Sequence, residues 1–263
     1  MPVAERGAKE KAADMLWRAR ARVNLVIVAH ADDAEMHFGA AMLRLIDAGE
    51  KVFIVVATDG ALAGAAPRIP SRALAAARKK EQQEAARLAG VSGVFFLGFP
   101  DQGLQFRKAK LRERICYFIR KLRPEAVFTH DPTLFYLPAD AGSGRIRDAL
   151  NHPDHRAVGE AALDIVGFGC ALDRCMPEHG HRGLSPWSVD DLYLTAAAQP
   201  NVVVDASSYR KRKKALLGVY RSQAIGDWIR RAGMPDETFR HIPCSAAAAQ
   251  KRPRPSFFKR IVK

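Results

Sequence analysis

Two short polar runs carry the side chains from which a hydrolytic metal centre can be built. The first is His30-Ala31-Asp32-Asp33-Ala34-Glu35, and the second is Asn151-His152-Pro153-Asp154-His155-Arg156. Imidazole and carboxylate suit zinc or iron(II). His30 and Asp33, with one of the two later histidines, would therefore make a three-ligand site with positions left open for water and substrate. Spacing alone does not choose between His152 and His155. The adjacent Asp32 offers a second carboxylate that points elsewhere, and a free carboxylate beside an activated water is placed to take its proton. The plain alternative for either aspartate is helix capping, which Asp does well.

The flanking sequence says what must position these groups. Val23-Asn24-Leu25-Val26-Ile27-Val28 is short and β-branched, as in a strand buried on both faces of a parallel sheet. Residues 36–48 follow with helical spacing of Met36, Ala40, Leu43 and Ile46, ending near Gly49. The first run thus occupies a strand-to-helix turn, where open α/β sheets bind their ligands. The second run also opens a helix, marked by Ala157, Val158, Ala161, Ala162 and Ile165. Further strands are expected at 51–57, 94–97, 126–129, 191–194 and 202–204, and helices at 72–88 and 111–122. Alternation of this kind predicts an α/β three-layer sandwich, a mostly parallel sheet with helices on both faces. No complete G-x-G-x-x-G follows a strand, so no dinucleotide site is read.

These residues resemble the LmbE/PIG-L family of metal-dependent N-acetylglucosamine deacetylases. Its opening motif Ala-His-Pro-Asp-Asp stands here as Ala29 to Asp33, with Ala31 in place of proline. Thr58-Asp59-Gly60, Arg78-Lys79-Lys80-Glu81, Leu97 to Leu104, Arg123 to His130, Asn151 to His155, Pro200 to Asp205 and Tyr220-Arg221-Ser222-Gln223 follow in the family's order. The resemblance implies a Rossmann-like fold and a zinc ion, or another divalent metal such as iron(II), on His30, Asp33 and His155. It implies Asp32 as general base, His152 as a protonated group facing the substrate with Asp154 behind it, and Arg78 on a sugar hydroxyl. The implied reaction is hydrolysis of an N-acetyl group, releasing acetate and a free amino sugar. Two departures stand out. Ala31 loosens a turn whose φ proline would fix. Leu150 stands where some members have a tyrosine, which leaves Tyr136 as one source of such a hydroxyl.

The chain has 263 residues, 48% of them hydrophobic, enough for one domain with a substantial core. The expected division is a charged lead-in at 1–22, the deacetylase-like domain at 23–245 and a basic tail at 246–263. Cys170, Cys175, His179 and His181 fit no common zinc framework, and the four cysteines give no disulfide framework. Reduced thiols and the lack of a secretory core or a run of about 18 apolar residues point to a soluble, cytoplasmic protein. The formal charge is +14, with basic runs at 210–214 and 251–263. It suggests an anionic partner: a phosphorylated or lipid-linked amino sugar, or an anionic membrane touched peripherally by the basic and aromatic tail. No specific nucleic-acid signature is visible, and a homo-oligomer is compatible with the sequence. Two rival readings share these residues: an amidase for a larger acyl group, and a polyanion-binding protein with a relic metal site.

Overall fold

The computed structural model describes residues 21–62, 70–137, 149–223, 225–226, 234–244 and 258–260. Strand β1 (Val23–Val28) is buried at every residue, as its unbroken apolar run requires. Its one polar member, Asn24, donates its side-chain amide to Glu50 Oε2 and Lys51 O. The first helix, α1 (Asp33–Asp47), leads to β2 (Lys51–Thr58), α2 (Ser71–Ala89), β3 (Gly93–Phe99), α3 (Lys108–Leu122) and β4 (Ala126–His130). A two-stranded ribbon, β5 (Tyr136–Leu137) with β6 (Ala149–Leu150), precedes α4 (Pro153–Asp164), which continues through one π-helical turn, Ile165–Gly169. The chain then forms the single-turn α5 (Pro177–Gly180), β7 (Asp191–Thr195), β8 (Val202–Val204), α6 (Arg210–Leu217), β9 (Glu237–Pro243) and β10 (Phe258–Arg260).

Eight strands make one sheet in the order β10-β8-β9-β7-β4-β1-β2-β3. The five from β7 to β3 pair in parallel, and β9, β8 and β10 extend the sheet antiparallel. Helices α3 and α4 cover one face, over a core that includes Leu25, Ile27, Val127 and Ile115. Helices α1, α2 and α6 pack together on the other, where Val26, Val28, Phe38 and Phe128 meet. The expected three-layer α/β sandwich is therefore present. No helix of the described residues is long and apolar enough to cross a membrane.

Two features differ from the sequence expectation. Strand β9 was not anticipated, because its residues alternate between buried and solvent-facing and carry Thr238, Arg240 and His241 rather than a continuous apolar run. Within the segment read as a basic tail, Phe258–Arg260 pairs with Val202–Val204, so part of it belongs to the sheet. The expected lead-in falls almost entirely outside the described residues.

Candidate active site

The sheet order reverses direction between β1 and β4: β2 and β3 lie to one side of β1, while β4 and β7 lie to the other. Connections leaving neighbouring strands in opposite directions open a crevice at their carboxyl ends. His30 lies two residues beyond β1 and His130 ends β4, so both stand at that crevice. Beyond His30 the chain turns sharply, with Asp32 in the left-handed region at φ 98° and ψ −29°. Its side chain makes no capping hydrogen bond to α1, so the plain capping alternative is not what holds it.

Three of the expected ligands converge here. His30 Nδ1 lies 3.3 Å from His155 Nε2 and 3.4 Å from Asp33 Oδ2, and His155 Nε2 lies 3.3 Å from Asp33 Oδ1. Tetrahedral coordination with bonds of about 2.1 Å places ligand atoms about 3.4 Å apart, and these separations match that spacing, with His30 facing one carboxylate oxygen of Asp33 and His155 the other. The far nitrogen of His30 is backed by carboxylates, Asp101 Oδ1 at 3.2 Å and Asp154 Oδ2 at 3.5 Å. Such backing fixes a ligand histidine and raises its basicity. Burial alone would lower the pKa of His30, but Asp101, Asp154 and Asp33 outweigh it and raise it well above the usual imidazole value. Burial opposes ionisation of Asp33 as well, yet the imidazoles of His155, His130 and His30 hold it well below the ordinary carboxylate range. Carboxylates packed this closely favour a positive charge at their centre, which a metal ion would supply.

Asp32 stands beside this cluster and is held from several sides. Its backbone N–H donates to Gln82 Oε1, while Gln82 Nε2 donates to Glu35 Oε1 and the Tyr220 hydroxyl to Glu35 Oε2. Arg78 Nη2 donates to Ala31 O and to Asp32 Oδ2, and its Nη1 donates to Gly60 O. Gly60, at φ 64°, permits this approach; a Cβ there would meet the guanidinium at 2.9 Å. Arg78, expected on a sugar hydroxyl, is instead buried and engaged with the turn that carries Asp32. Burial drives Asp32 up to about 7, Arg78 working against it and the charge of Asp33 with it. A carboxylate in that range can accept and return a proton near neutral pH.

The second run is arranged differently from the expectation. Asp154 is not hydrogen-bonded behind His152: its carboxylate accepts the backbone N–H groups of Gln102 and Leu104 and faces His30. Standing at the first turn of α4, it is aimed across to the loop after β3 rather than back along its own chain. His152 caps α4, its Nδ1 accepting the backbone N–H of Asp154, which leaves the proton of the neutral ring on Nε2. Burial, with His30 and His155 nearby, pushes His152 down to about 4. A neutral N–H donor replaces the expected protonated imidazole. Tyr136 is 58% exposed on β5, with its backbone paired to Leu150.

Sequence reasoning assigned no role to Asp101, Gln82, His37 or His130. Asp101 lies two residues beyond β3, as His30 does beyond β1, and His130 is the last residue of β4, so strand-end position was the available signal. His37 lies one helical turn after Asp33 on α1. Burial pushes His37 down to about 3 and His130 to about 4, with the neighbouring imidazoles adding to the effect. A cleft of about 270 Å³ opens beside His152 and His155, bordered also by His37, His130, Asn151, Thr195 and Lys213. Lys213 is almost fully buried, and its ammonium donates to Glu237 Oε1 at 2.6 Å.

Comparison with known proteins finds deacetylases. The chain is 29% identical over 199 residues to diacetylchitobiose deacetylase of Thermococcus kodakarensis, covering 76% of this chain and 69% of that protein. It is 25% identical over 203 residues to a probable N-acetyl-alpha-D-glucosaminyl L-malate deacetylase 2 of Bacillus cereus, covering 76% and 82%. The structure matches N,N'-diacetylchitobiose deacetylase from Pyrococcus horikoshii with a TM-score of 0.72 and 28% identity, over 86% of this chain and 85% of that one. A model of the PIG-L family, described as GlcNAc-PI de-N-acetylase, matches residues 25–166, which run from within β1 through the turn at Asp32 to the end of α4. With its donor set at the end of β1 and the start of α4, the chain belongs to the PIG-L family.

Proposed function

We propose that the protein is a metal-dependent N-deacetylase of a small N-acetylglucosamine-type conjugate, with zinc as the ion. The observation that carries this is the 3.3–3.4 Å triangle of His30, Asp33 and His155 with Asp32 beside it in the same crevice. When bound there, the ion supplies Lewis acidity to a water molecule and to the amide carbonyl. Asp32, tuned to about 7, takes the proton from the attacking water. The Nε2–H of His152 is the donor available for negative charge growing on the carbonyl oxygen, a contribution worth about 3 kcal/mol of barrier when well aimed. Asp32 then returns its proton to the departing amine, because an amide nitrogen leaves poorly as an anion. Arg78 and Gln82 keep the Asp32 carboxylate aimed throughout this cycle. Acetate release from a panel of N-acetylglucosamine glycosides and phosphates tests the proposal. Release by the zinc-loaded parent and none by Asp32→Ala is expected; silence of the loaded parent across the panel would overturn it.

A further inference from the structure

Strand β3 is the outermost strand of the sheet, paired with β2 on one side and with no strand on the other among the described residues. An open edge presents a row of unpaired N–H and C=O groups, which proteins ordinarily blunt with charge, proline or a covering segment. Gly93-Val94-Phe95-Phe96-Leu97-Gly98-Phe99 contains neither charge nor proline. Every residue of β1, β4 and β7 is buried, whereas none of β3 is. Its pairing with β2 is regular from Gly93 to Phe96, so the outer edge offers an equally regular ladder over that stretch.

Cations flank this edge on both faces of the sheet. On the face that carries α2, Lys79 Nζ stands 5.2 Å from the centre of the Phe96 ring. On the face that carries α3, a pocket of about 460 Å³ lies beside Phe95. It is walled by Tyr117 and Phe118 and holds Arg114, Lys121 and Arg182 but, among the described residues, no carboxylate. Arg114 stands over both rings, at 5.7 and 5.9 Å, and Lys121 over Tyr117 at 5.5 Å. None of the four cations is ion-paired among the described residues. A strand added to β3 would send its side chains alternately to the two faces, and every second one would point towards the pocket. We propose that β3 is a docking edge for an extended acidic segment of a partner protein, which joins the sheet as a further strand and sets its carboxylates among Arg114, Lys121 and Arg182. In such strand addition main-chain hydrogen bonds supply the affinity and the flanking side chains the selectivity. A second copy of the chain is the poorer occupant, because pairing β3 with itself would bring two sets of unpaired cations together. The inference does not draw on the deacetylase function.

The test is fluorescence anisotropy of the full chain with a fluorescein-labelled decapeptide of alternating glutamate and valine, whose carboxylates all fall on one side when it is extended. The expected result is saturable binding that weakens about tenfold or more in Arg114→Glu/Lys121→Glu and fades as salt rises, with amide hydrogen exchange slowed from Val94 to Leu97. The same peptide with alternate valines changed to proline keeps its charge but cannot pair along its length, and should not bind. Should Arg114→Glu/Lys121→Glu lose its fold by circular dichroism, Lys121→Glu/Arg182→Glu gives the same readout from two exposed positions. Absence of binding, equal binding of the proline peptide, or unchanged affinity in the folded variants overturns the proposal. So does a dimer of the chain that excludes the peptide, which would assign the edge to a second copy.

Discussion

Asp32 occupies a backbone region that costs a non-glycine residue ~1–3 kcal/mol, and the Arg78–Gln82–Glu35–Tyr220 network is what sustains it. Changing Asp32→Ala should lower turnover by about 10²–10⁴, the range for a positioned general base, while the chain still binds one metal per active site by elemental analysis. His155→Ala should lose both metal and turnover. Asp101→Asn, which weakens the carboxylate backing of His30, should reduce metal affinity about 10–100-fold in a chelator competition. Gln82→Leu takes the acceptor from the Asp32 N–H, so kcat should fall while KM and metal affinity hold; equal losses in metal affinity would mean that Gln82 only supports the fold. The groups that converge at the crevice were marked in the sequence because His30 and Asp33 lie between a strand signal and a helix signal and the second run opens a helix, although spacing left His152 and His155 equivalent and only the family resemblance favoured His155. The duty of Asp154 was not, since its partners Gln102, Leu104 and His30 lie about 50 or more residues away and only the packed sheet brings them to α4.

Among the elements, the five parallel strands announced themselves by apolar runs, whereas β9 alternates buried and solvent-facing residues and so resembles ordinary polar chain. Its first residue, Glu237, nonetheless carries weight: its oxygens accept the backbone N–H groups of Ala40 and Ala41 in α1 and the ammonium of Lys213 in α6. Lys213→Met would strand that carboxylate in the interior, and a loss of about 3–5 kcal/mol is expected in urea unfolding. A second contact joins α4 to β4. A Cβ on Gly159 would fall 2.3 Å from His130 O, so no side chain fits between them without separating helix and strand. Gly159→Ala should cost about 1–3 kcal/mol, the usual penalty for overpacking, and should weaken metal binding because His155 rides on the same helix. Neither contact was readable from local pattern, because each joins segments far apart in the chain.

At the scale of the whole molecule, the site lies where the strand order turns about β1 and β4, and the chain around it carries a formal charge of +14. If that field draws in an anionic conjugate, KM for a phosphorylated N-acetylglucosaminide should rise between low and high salt. KM for a neutral glycoside should stay level over the same range, in which the screening length shortens from about 30 Å to about 3 Å. Composition disclosed the charge at once but could not say that three residues of the basic tail would take a place in the sheet. That place has a further consequence. Strand β10 covers the free side of β8, whose whole length is Val202-Val203-Val204. A chain shortened ahead of Phe258 would bare an all-valine ribbon with open N–H and C=O groups, a template for joining the same strand of another molecule. C-terminal clipping should therefore appear first as concentration-dependent aggregation in light scattering, ahead of any change at the catalytic crevice.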